Sequence, residues 1–509
     1  MTPYSATSAT APAPRRSWWL WLGPLPLLSA FTSLAITSGG QIFRGLLLGG
    51  ALWMMALPLL YSLEAGLLMM MLFEPLRGFL RRAQFIFVEY TTTDPIHLIT
   101  PLITLLTFAI LLWLRRGQLF RQTKLSLPVT ILGGIFLLQV FNPWQGALFV
   151  GLSGAMFILI PMAWFYFGQT VKASFLTTAL RTIVVMGLLC SLHGFYQLLI
   201  GYPEFEDYWI KHTDHYESIA VGHVTRALAT FNSAEEWGRY VQYGALIAVG
   251  FALGAKSAKA RLGWLLAGGA LFVTLLITGQ RTAIFGLLLG LVTLLLLGAE
   301  SWRKAMRRLM LLALAGGLVL LIAKPPTRQE MWEKDRDDKL GTMLSHTARG
   351  TLQPGQENSL WERFRIWTYL ATTVIPNKPL GTGLGAGTVS AARFATVEET
   401  LYPIDSFIAV LIVGCSLPTA LLFIWILFRA ALLAVRIFKR SLPATTEATV
   451  RRIAAAIVPM LILNSFFGLT FSIYSAAPIA WLVIGWVSAE AARDEQWLQE
   501  TLTDSRGRA

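Results

Sequence analysis

The sequence predicts an all-α, polytopic integral membrane protein with about 11 to 13 transmembrane helices and one large external loop. Three observations support this fold class. Of the 509 residues, 55% are hydrophobic and only 14% are charged, whereas a soluble domain carries about 25% charged residues. Apolar runs of about 20 residues recur along the whole chain, and each can cross a hydrocarbon core of about 30 Å. The alternating apolar pattern of membrane strands is absent, which favours helices.

The first segments of the chain predict a membrane domain that begins close to the N-terminus. Residues 1–17 are rich in Ala, Ser, Thr and Pro, a composition typical of a disordered segment, and we expect it to be cytoplasmic. Arg15 and Arg16 precede an apolar stretch, as in a signal peptide, but apolar sequence continues almost unbroken to Phe73. We therefore expect a retained anchor and a single polytopic domain over residues 18–490.

The positive charges indicate which loops face the cytoplasm. Lysine and arginine fall mainly in short clusters between apolar runs, as in loops on the inner side of a membrane. The net charge of +14 is therefore assigned to membrane anchoring rather than to nucleic-acid binding. The clusters are Arg115, Arg116, Arg121 and Lys124; Lys172 and Arg181; Lys256, Lys259 and Arg261; Arg303, Lys304, Arg307 and Arg308; and Arg436, Lys439, Arg440, Arg451 and Arg452.

With these clusters inside, the apolar runs alternate consistently after residue 95. The polar segments 201–238 and 324–404 then lie outside, and residues 491–509 form a cytoplasmic tail. The segment 74–95, which carries three arginines, does not fit the alternation and is interpreted as an amphipathic stretch on the membrane surface. The predicted spans lie near 96–114, 128–142, 146–168, 178–200, 239–255, 262–279, 283–299, 308–323, 405–432, 453–470 and 473–489.

Arg281 lies between two of these spans with almost no loop to accommodate it. An arginine at the bilayer centre costs roughly 2.5 to 3.5 kcal/mol. A tight turn at Gly279 and Gln280 avoids this cost, because it places the arginine at the membrane surface beside the lipid headgroups. A fixed cation in that position is suited to holding an anion, which indicates a charged, lipid-borne substrate.

The large external segment contains a helical stretch followed by a glycine-rich turn. From Trp361 to Val374 apolar residues recur on one helical face, while Arg363 and Arg365 project elsewhere. Residues 377–387 contain alternating glycines, which allow close backbone approach to a ligand.

The shorter external segment, 201–238, offers two kinds of polar site. His212 and His215 have a spacing that can hold a metal ion on a helical turn, although a solvated polar loop is the favoured interpretation. Arg226 precedes an apolar patch and a turn at Asn232. It is either an interfacial arginine that extends its charge to water or a functional residue.

Four segments together resemble the O-antigen ligase and polymerase superfamily, bacterial membrane proteins that act on polyprenyl-diphosphate-linked oligosaccharides. They are TRALATFNSAEEWGRYV, TGQRTAIFGLLLG, ERFRIWTYLATTVIPNKPLGTGLGAG and YPIDSFIAVLIVGCSLPTALLF. Ala229 stands where the family commonly has glycine, and Gln280 and Thr282 replace a serine and a glycine. The fourth segment lacks the histidine that is usual in the ligase branch.

The resemblance implies a GT-C-like membrane glycosyltransferase of the bacterial cytoplasmic (inner) membrane, active in O-antigen or exopolysaccharide biosynthesis. Its substrate would be an undecaprenyl-diphosphate-linked oligosaccharide at the outer membrane face. A chain-length regulator and a flippase are possible partners, and neither a cofactor nor a metal ion is expected. The missing histidine favours a polymerase over a ligase.

The resemblance also implies roles for particular residues. Arginines that cannot lose their proton would bind and stabilise the leaving diphosphate, and a carboxylate or histidine would take the acceptor proton. The candidate general bases are Asp405 and His346. The candidate diphosphate-binding residues are Arg226, Arg281 and Arg365, with Arg363 in reserve.

A transporter or flippase of lipid-linked glycans remains the main alternative. Such a protein would also place arginines in a cavity, but we would expect internal repeats and broken helices. No clear repeat is visible in the sequence.

Overall fold

The computed structural model describes residues 42–90, 94–115, 117–213, 220–221, 224–299, 301–322, 339–352, 358–388, 404–441 and 445–507. Within these ranges the chain is mostly helical, with one two-stranded antiparallel hairpin, β1 (Ala220–Val221) and β2 (Val224–Thr225). This confirms the all-α fold class. The predicted N-terminal segment 1–17 and residues 324–338, 353–357 and 389–403 of the large external segment lie outside the described residues.

The described helices follow the predicted apolar runs closely from residue 96 onward. They are α1 (Ile42–Ala56), α2 (Leu63–Phe73), α3 (Arg77–Ala83), α4 (Ile99–Arg115), α5 (Ser126–Val140), α6 (Leu148–Thr170), α7 (Ala173–Leu199), α8 (Glu204–His212), α9 (Ala234–Gly254), α10 (Ala258–Thr278), α11 (Arg281–Leu297), α12 (Trp302–Ile322), α13 (Lys339–Leu352), α14 (Asn358–Tyr369), α15 (Phe407–Gly414), α16 (Leu417–Lys439), α17 (Thr446–Phe467) and α18 (Ala477–Gly507).

Six of the described helices are long and apolar enough to cross a membrane: α4 with the 3₁₀ turn before it, α6, α7, α10, α16 and α17. Helices α1, α5 and α11 are apolar but shorter, and α9 begins with the charged residues Glu235, Glu236 and Arg239. The protein is therefore a multi-pass membrane protein by the length and composition of its helices, although fewer described helices meet this criterion than the 11 to 13 expected.

Helix α9 lies at the centre of the packing. It contacts α7, α10, α11 and α17, and Trp237, Tyr240 and Tyr243 on it are fully buried. The helix begins at Ala234, five residues before the predicted span, because the hydroxyl of Ser233 accepts a hydrogen bond from the backbone N–H of Glu236 at 3.1 Å and so satisfies one of the open N–H groups of the first turn.

The interpretation of the segment 74–95 as a surface-lying stretch is wrong. Arg77, Arg81 and Arg82 are 2%, 7% and 1% exposed. Each forms an ion pair with a buried carboxylate, and Arg82 reaches Glu206, which is far away in sequence, at 2.8 Å. A buried charge is stable only when it is paired and hydrogen-bonded, and these partners cannot be recognised from the local sequence.

The predicted span 405–432 is two helices rather than one. Helix α15 ends at Gly414, and α16 begins at Leu417 after Ser416, whose φ is 122°. The backbone cannot continue a helix through that conformation. The chain instead turns and hydrogen-bonds the N–H of Ser416 to the carbonyl of Leu411 at 3.0 Å.

The helix bundle has two chemically distinct ends. At one of them, which we call the basic end, basic residues from predicted cytoplasmic clusters lie close together. Arg451 pairs with Glu490 at 2.6 Å, and both Lys124 and Arg436 pair with Glu495 on α18. Two of the sequence clusters also meet at the C-terminal end of α11. There Arg308 donates to the carbonyl of Gly298 at 2.7 Å, and Arg452 lies beside the same glycine.

The opposite end of the bundle carries Arg281, and we call it the arginine end. Arg281 is the first of the 17 residues of α11, so about 25 Å of helix separates it from Gly298. Helix α17 runs between the same two ends, with Arg451 near its start at the basic end and Asn464 near its finish at the arginine end.

Candidate anion-binding site

The turn that carries Arg281 has the predicted form. Gly279 adopts the left-handed conformation with φ 71° at the end of α10, and Gln280 precedes the first residue of α11. Helix α13 covers this turn, since any Cβ at Gly350 would collide with the guanidinium group of Arg281. The guanidinium thus lies at the positive end of a helix dipole, where anions are stabilised.

Arg226 lies close to Arg281, as the sequence predicts. Desolvation lowers the pKa of Arg226, and the positive charge of Arg281 lowers it further. Arg226 is half-buried, and its Nε has no hydrogen-bond partner among the described residues. The positive charges of Arg226 and Arg281 are therefore close enough to repel each other, and the Nε of Arg226 is a donor without an acceptor. A bound anion would reduce the repulsion and could accept that hydrogen bond.

The loop before α9 is held in place by buried side chains from other elements. The side-chain oxygen of Gln197 accepts hydrogen bonds from the N–H groups of Leu228 and Ala229 at 3.0 and 2.7 Å. Arg82 donates to the carbonyls of Ala229 and Phe231. Ala229, which takes the place of a family glycine, has φ 51°. These bonds fix the backbone three residues after Arg226.

Glu206 connects this loop brace to α8. Its carboxylate accepts from Arg82 and from Gln197, both at 2.8 Å, and lies 3.1 Å from a ring nitrogen of His193. Burial alone would raise the pKa of Glu206, but the hydrogen bond from His193 and the charge of Arg82 outweigh it, and the pKa is lowered. The carboxylate therefore stays ionised and holds Arg82 against the loop.

Arg239 is a site residue that the sequence reasoning did not identify. It is 0% exposed and donates to Asn464 at 2.9 Å and to Thr282 at 2.7 Å. Thr282 follows Arg281 directly, so Arg239 ties α9 and α17 to the start of α11. The available signal was an arginine inside the first family-like segment, together with Asn464 in an otherwise apolar run.

Asp405 and Arg363 extend the site towards the large external segment. Desolvation raises the pKa of Asp405, and the charge of Glu235 raises it further, whereas Arg363 and Arg239 act in the opposite direction. These four charged groups therefore lie near one another. Although its surroundings desolvate the carboxyl group, Asp405 as a residue still exposes surface to solvent. Arg363 is half-buried, and its Nε lacks a hydrogen-bond partner within the described ranges.

Arg365 is placed differently from Arg363. Its side chain is 74% exposed and pairs with Glu362 one turn earlier on the same helix. Residues two apart on a helix point to different sides, so only one of the two arginines can face the bundle. The structure brings Arg226 and Arg281 together and places Arg363, rather than Arg365, beside Arg239 and Asp405.

His346 lies on α13 and is half-buried. Its ring carbon Cδ2 would lie 3.6 Å from a Cβ built on Gly279, so it packs against the turn that carries Arg281. The structure thus places this candidate base beside the arginines, and not in an open loop.

The expectation that the glycine-rich stretch 377–387 contacts a ligand is not supported by its packing. The N–H of Gly383 donates to the carbonyl of Gly414 at 2.9 Å, and a Cβ at Gly385 would collide with the carbonyl of Val150. Glycine allows close backbone approach, and here Gly383 and Gly385 let the stretch pack closely against α6 and against the break between α15 and α16.

Metal binding by the 201–238 segment has no support in the described residues. His215 lies outside them, and His212 is exposed and contacts the carbonyl of Tyr208. Across the described ranges, no group of three or more His, Cys, Asp or Glu side chains could hold a metal ion.

Comparison of the chain with models of known protein families gives no match, and comparison with curated protein sequences gives none either. The chemistry of the arginine end is therefore the main indication of function. That chemistry consists of four arginines from four separate segments, two nearby carboxylates and a histidine. Its positive charges exceed its negative charges, so it is suited to an anionic ligand.

Proposed function

We propose that this protein is a membrane glycosyltransferase that polymerises polyprenyl-diphosphate-linked oligosaccharides. The proximity of Arg226 and Arg281 carries the proposal. The charge of Arg281 acts on Arg226 and adds to the cost of desolvating it. An anionic ligand reduces the cost of holding two like charges close together, and a diphosphate offers two anionic groups that guanidinium groups bind in bidentate fashion.

The proposed reaction is displacement at the anomeric carbon of the donor sugar. The acceptor hydroxyl forms the new bond to that carbon, while the bond to the diphosphate breaks and the diphosphate leaves with the electron pair. Arg226 and Arg281 stabilise the developing negative charge. Asp405 takes the acceptor proton, and its raised pKa makes it a better base than an ordinary aspartate.

A ligase remains the second candidate within the same chemistry. The position of His346 beside the Arg281 turn supports it. The fourth family-like segment lacks the histidine that is usual in the ligase branch, and His346 would supply a histidine base from α13 instead. We favour the polymerase because Asp405 is both exposed and surrounded by charged groups of the site.

A transporter is less well supported than a transferase. The break between α15 and α16 is the kind of feature that coordinates ions in transporters. Here, however, the carbonyls of Val413 and Gly414 accept hydrogen bonds from Thr382 and Gly383 at 2.8 and 2.9 Å. The backbone groups that such an ion would need are already bonded to the protein itself.

The substitution Arg281→Lys tests the proposal. Lysine keeps the charge at the turn but lacks the planar fork that binds phosphate through two N–H groups, so we expect loss of most polymer, roughly tenfold or more for an interaction of about 1.4 kcal/mol or more. Polymer amount and chain length would be measured in cells that lack the native copy, together with the membrane level of the variant.

Arg261→Lys is the matched control, because Arg261 is exposed at the other end of α10. It should leave both polymer and protein level unchanged. Polymer of normal amount and length from Arg281→Lys would mean that the arginine only anchors the turn at the membrane surface, and the diphosphate site would have to be abandoned.

A further inference from the structure

A small buried cavity with an excess of negative charge lies apart from the arginine site. Glu74, at the start of the segment 74–95, lines it together with Thr100, Trp164, Tyr240, Tyr474 and Ser475. All six side chains are at most 7% exposed. The cavity has room for a guest the size of about one water molecule.

The charges beside this cavity do not balance. Arg77 donates to Glu74 at 2.8 Å and reaches Glu236 at 3.3 Å, so one arginine serves two buried carboxylates. His97 adds no charge here, because its Nδ1 lies 2.8 Å from Arg77 and an arginine can only donate. With both carboxylates ionised, the group of Glu74, Glu236 and Arg77 holds one uncompensated negative charge. Burial raises the pKa of Glu74 to about 7, so a proton competes with a cation at this carboxylate.

The neighbouring charges do not remove this excess. The next ion pairs, Arg81 with Asp94 and Arg82 with Glu206, are each balanced. Arg44 adds a further positive charge, but it acts on Asp94, and the charges that act on Glu74 are those of Arg77 and Glu236. An uncompensated buried charge is strongly unfavourable.

The cavity also contains oxygen atoms without partners. The hydroxyls of Tyr240, Tyr474 and Ser475 are buried and make no hydrogen bond among the described residues, and the same is true of Trp164 Nε1. The charge of Glu74 acts on the hydroxyls of both tyrosines, so these oxygens lie near the carboxylate. Each buried polar group left unpaired costs about 1 to 3 kcal/mol.

We propose that this cavity binds one sodium ion, held by the Glu74 carboxylate and by the hydroxyl oxygens of Tyr240, Tyr474 and Ser475. A single monovalent cation cancels the one excess charge, whereas a divalent cation would reverse it. Small, hard cations prefer oxygen ligands, and sodium, which is smaller than potassium, forms the shorter cation–oxygen distances that a cavity of this size requires. The N–H of Trp164 cannot bind a cation, but it can donate to a ligating hydroxyl oxygen.

The sodium site would stabilise the loop that precedes α9. Glu236 shares Arg77 with Glu74 and also accepts hydrogen bonds from the backbone and side chain of Asn232 at 2.8 and 3.0 Å. A cation that relieves the repulsion between Glu74 and Glu236 therefore stabilises these bonds as well.

Thermal unfolding of the purified full-length protein in lipid nanodiscs tests the proposal. The melting temperature would be measured in sodium chloride, potassium chloride and N-methyl-D-glucamine chloride at equal ionic strength. We expect sodium to raise it by about 2 °C or more, with saturation as its concentration increases. Equal melting temperatures in the three salts would overturn the proposal, as would a response to pH alone, which would mean that a proton neutralises the excess charge.

Glu74→Gln removes the excess charge and should abolish the sodium-dependent shift without lowering the melting temperature in sodium-free buffer. Glu64→Gln, on the helix α2 that ends just before Glu74 and outside the cavity, is the matched control and should keep the full shift. If Glu74→Gln does not fold, Tyr474→Phe provides a second test, for which we expect a several-fold higher half-saturating sodium concentration. An unchanged sodium response in the variant that folds would rule out a sodium site here.

Discussion

Two arginines two residues apart on α14 show how single side chains determine the site. Arg363 is half-buried near Arg239 and Asp405, whereas Arg365 is exposed and pairs with Glu362. The pattern of the sequence favours Arg365 for diphosphate binding, and only the packed helix distinguishes the two. Their different positions lead to a direct test.

We expect Arg363→Ala to lower polymer formation about tenfold or more, and Arg365→Ala to leave it nearly unchanged. The first substitution removes a charge that faces the site, and we expect it to cost about as much as losing a hydrogen bond to a charged group, about 1.5 to 3 kcal/mol. The second removes a surface ion pair, which contributes about 0 to 1 kcal/mol. Polymer amount normalised to membrane protein level is the measurement, and an equal loss in both variants would contradict the assigned geometry.

The proposed role of Asp405 as a general base conflicts with the stability of the folded protein. Its pKa is raised in the folded protein, so the folded state binds a proton more readily than the unfolded chain. This group therefore contributes stability at low pH, and that contribution is lost as the pH rises through the folded pKa. At neutral pH its ionised form is unfavourable, as is common for functional groups.

We expect Asp405→Asn to abolish most activity while leaving the melting temperature at neutral pH equal to or above that of the wild type. Wild-type activity should fall as the pH decreases through the raised pKa, because a general base must be deprotonated. The activity loss should therefore occur at a higher pH than for an ordinary aspartate. Full activity of Asp405→Asn would transfer the role of base to His346.

At the level of elements, buried hydrogen bonds decide where the Arg226 loop lies. Gln197 on α7 bonds the N–H groups of Leu228 and Ala229 and donates to the carbonyl of Ala229 at 3.1 Å. Without these bonds the loop would have unpaired backbone groups in a buried position. The brace therefore explains how a short irregular segment can hold an arginine at a fixed place.

Gln197→Leu should destabilise the protein by about 1 to 3 kcal/mol for each buried group left unpaired, and polymer formation should fall because Arg226 loses its support. Gln139→Leu is the control, since that side chain makes an exposed hydrogen bond to Leu380 and should have a smaller effect. Thermal unfolding of both purified variants is the measurement. Equal stability of the two would show that the brace contributes little.

At the level of the whole molecule, the separation of the two ends agrees with a consistent membrane orientation. Residues from three of the five predicted cytoplasmic clusters gather around α18 and the end of α11, and the candidate site lies at the opposite end. The positive-inside rule then predicts that the arginine end lies on the side of the membrane opposite the cytoplasm. That orientation is a prediction, since the structure contains no membrane.

Single introduced cysteines test the orientation. Cys190 and Cys415 are 1% and 2% exposed, so the native chain should react little with thiol reagents. We expect a membrane-impermeant maleimide to label Asn377→Cys in intact cells, and to label Arg440→Cys only after permeabilisation. Both positions are exposed. The reverse labelling pattern would invert the topology and place the arginine site inside the cell.

The sequence by itself determines where the helices lie and where Arg281 is. In a membrane, the backbone polar groups of a long apolar run must be hydrogen-bonded within the protein, and a helix achieves this within the run itself. A charged residue between two such runs then lies at the end where the two helices join. These features depend on residues near one another in the chain. For that reason the turn at Gly279 matches the prediction.

Only the tertiary structure decides which charged residues share a site. The burial of Arg77 and Arg82, the role of Arg239 and the choice of Arg363 over Arg365 all depend on partners that are distant in sequence. The same holds for the glycine-rich stretch, whose close contacts are made with α6 and not with a ligand. A buried charge or an open backbone group is stable only beside its partner, and packing selects that partner.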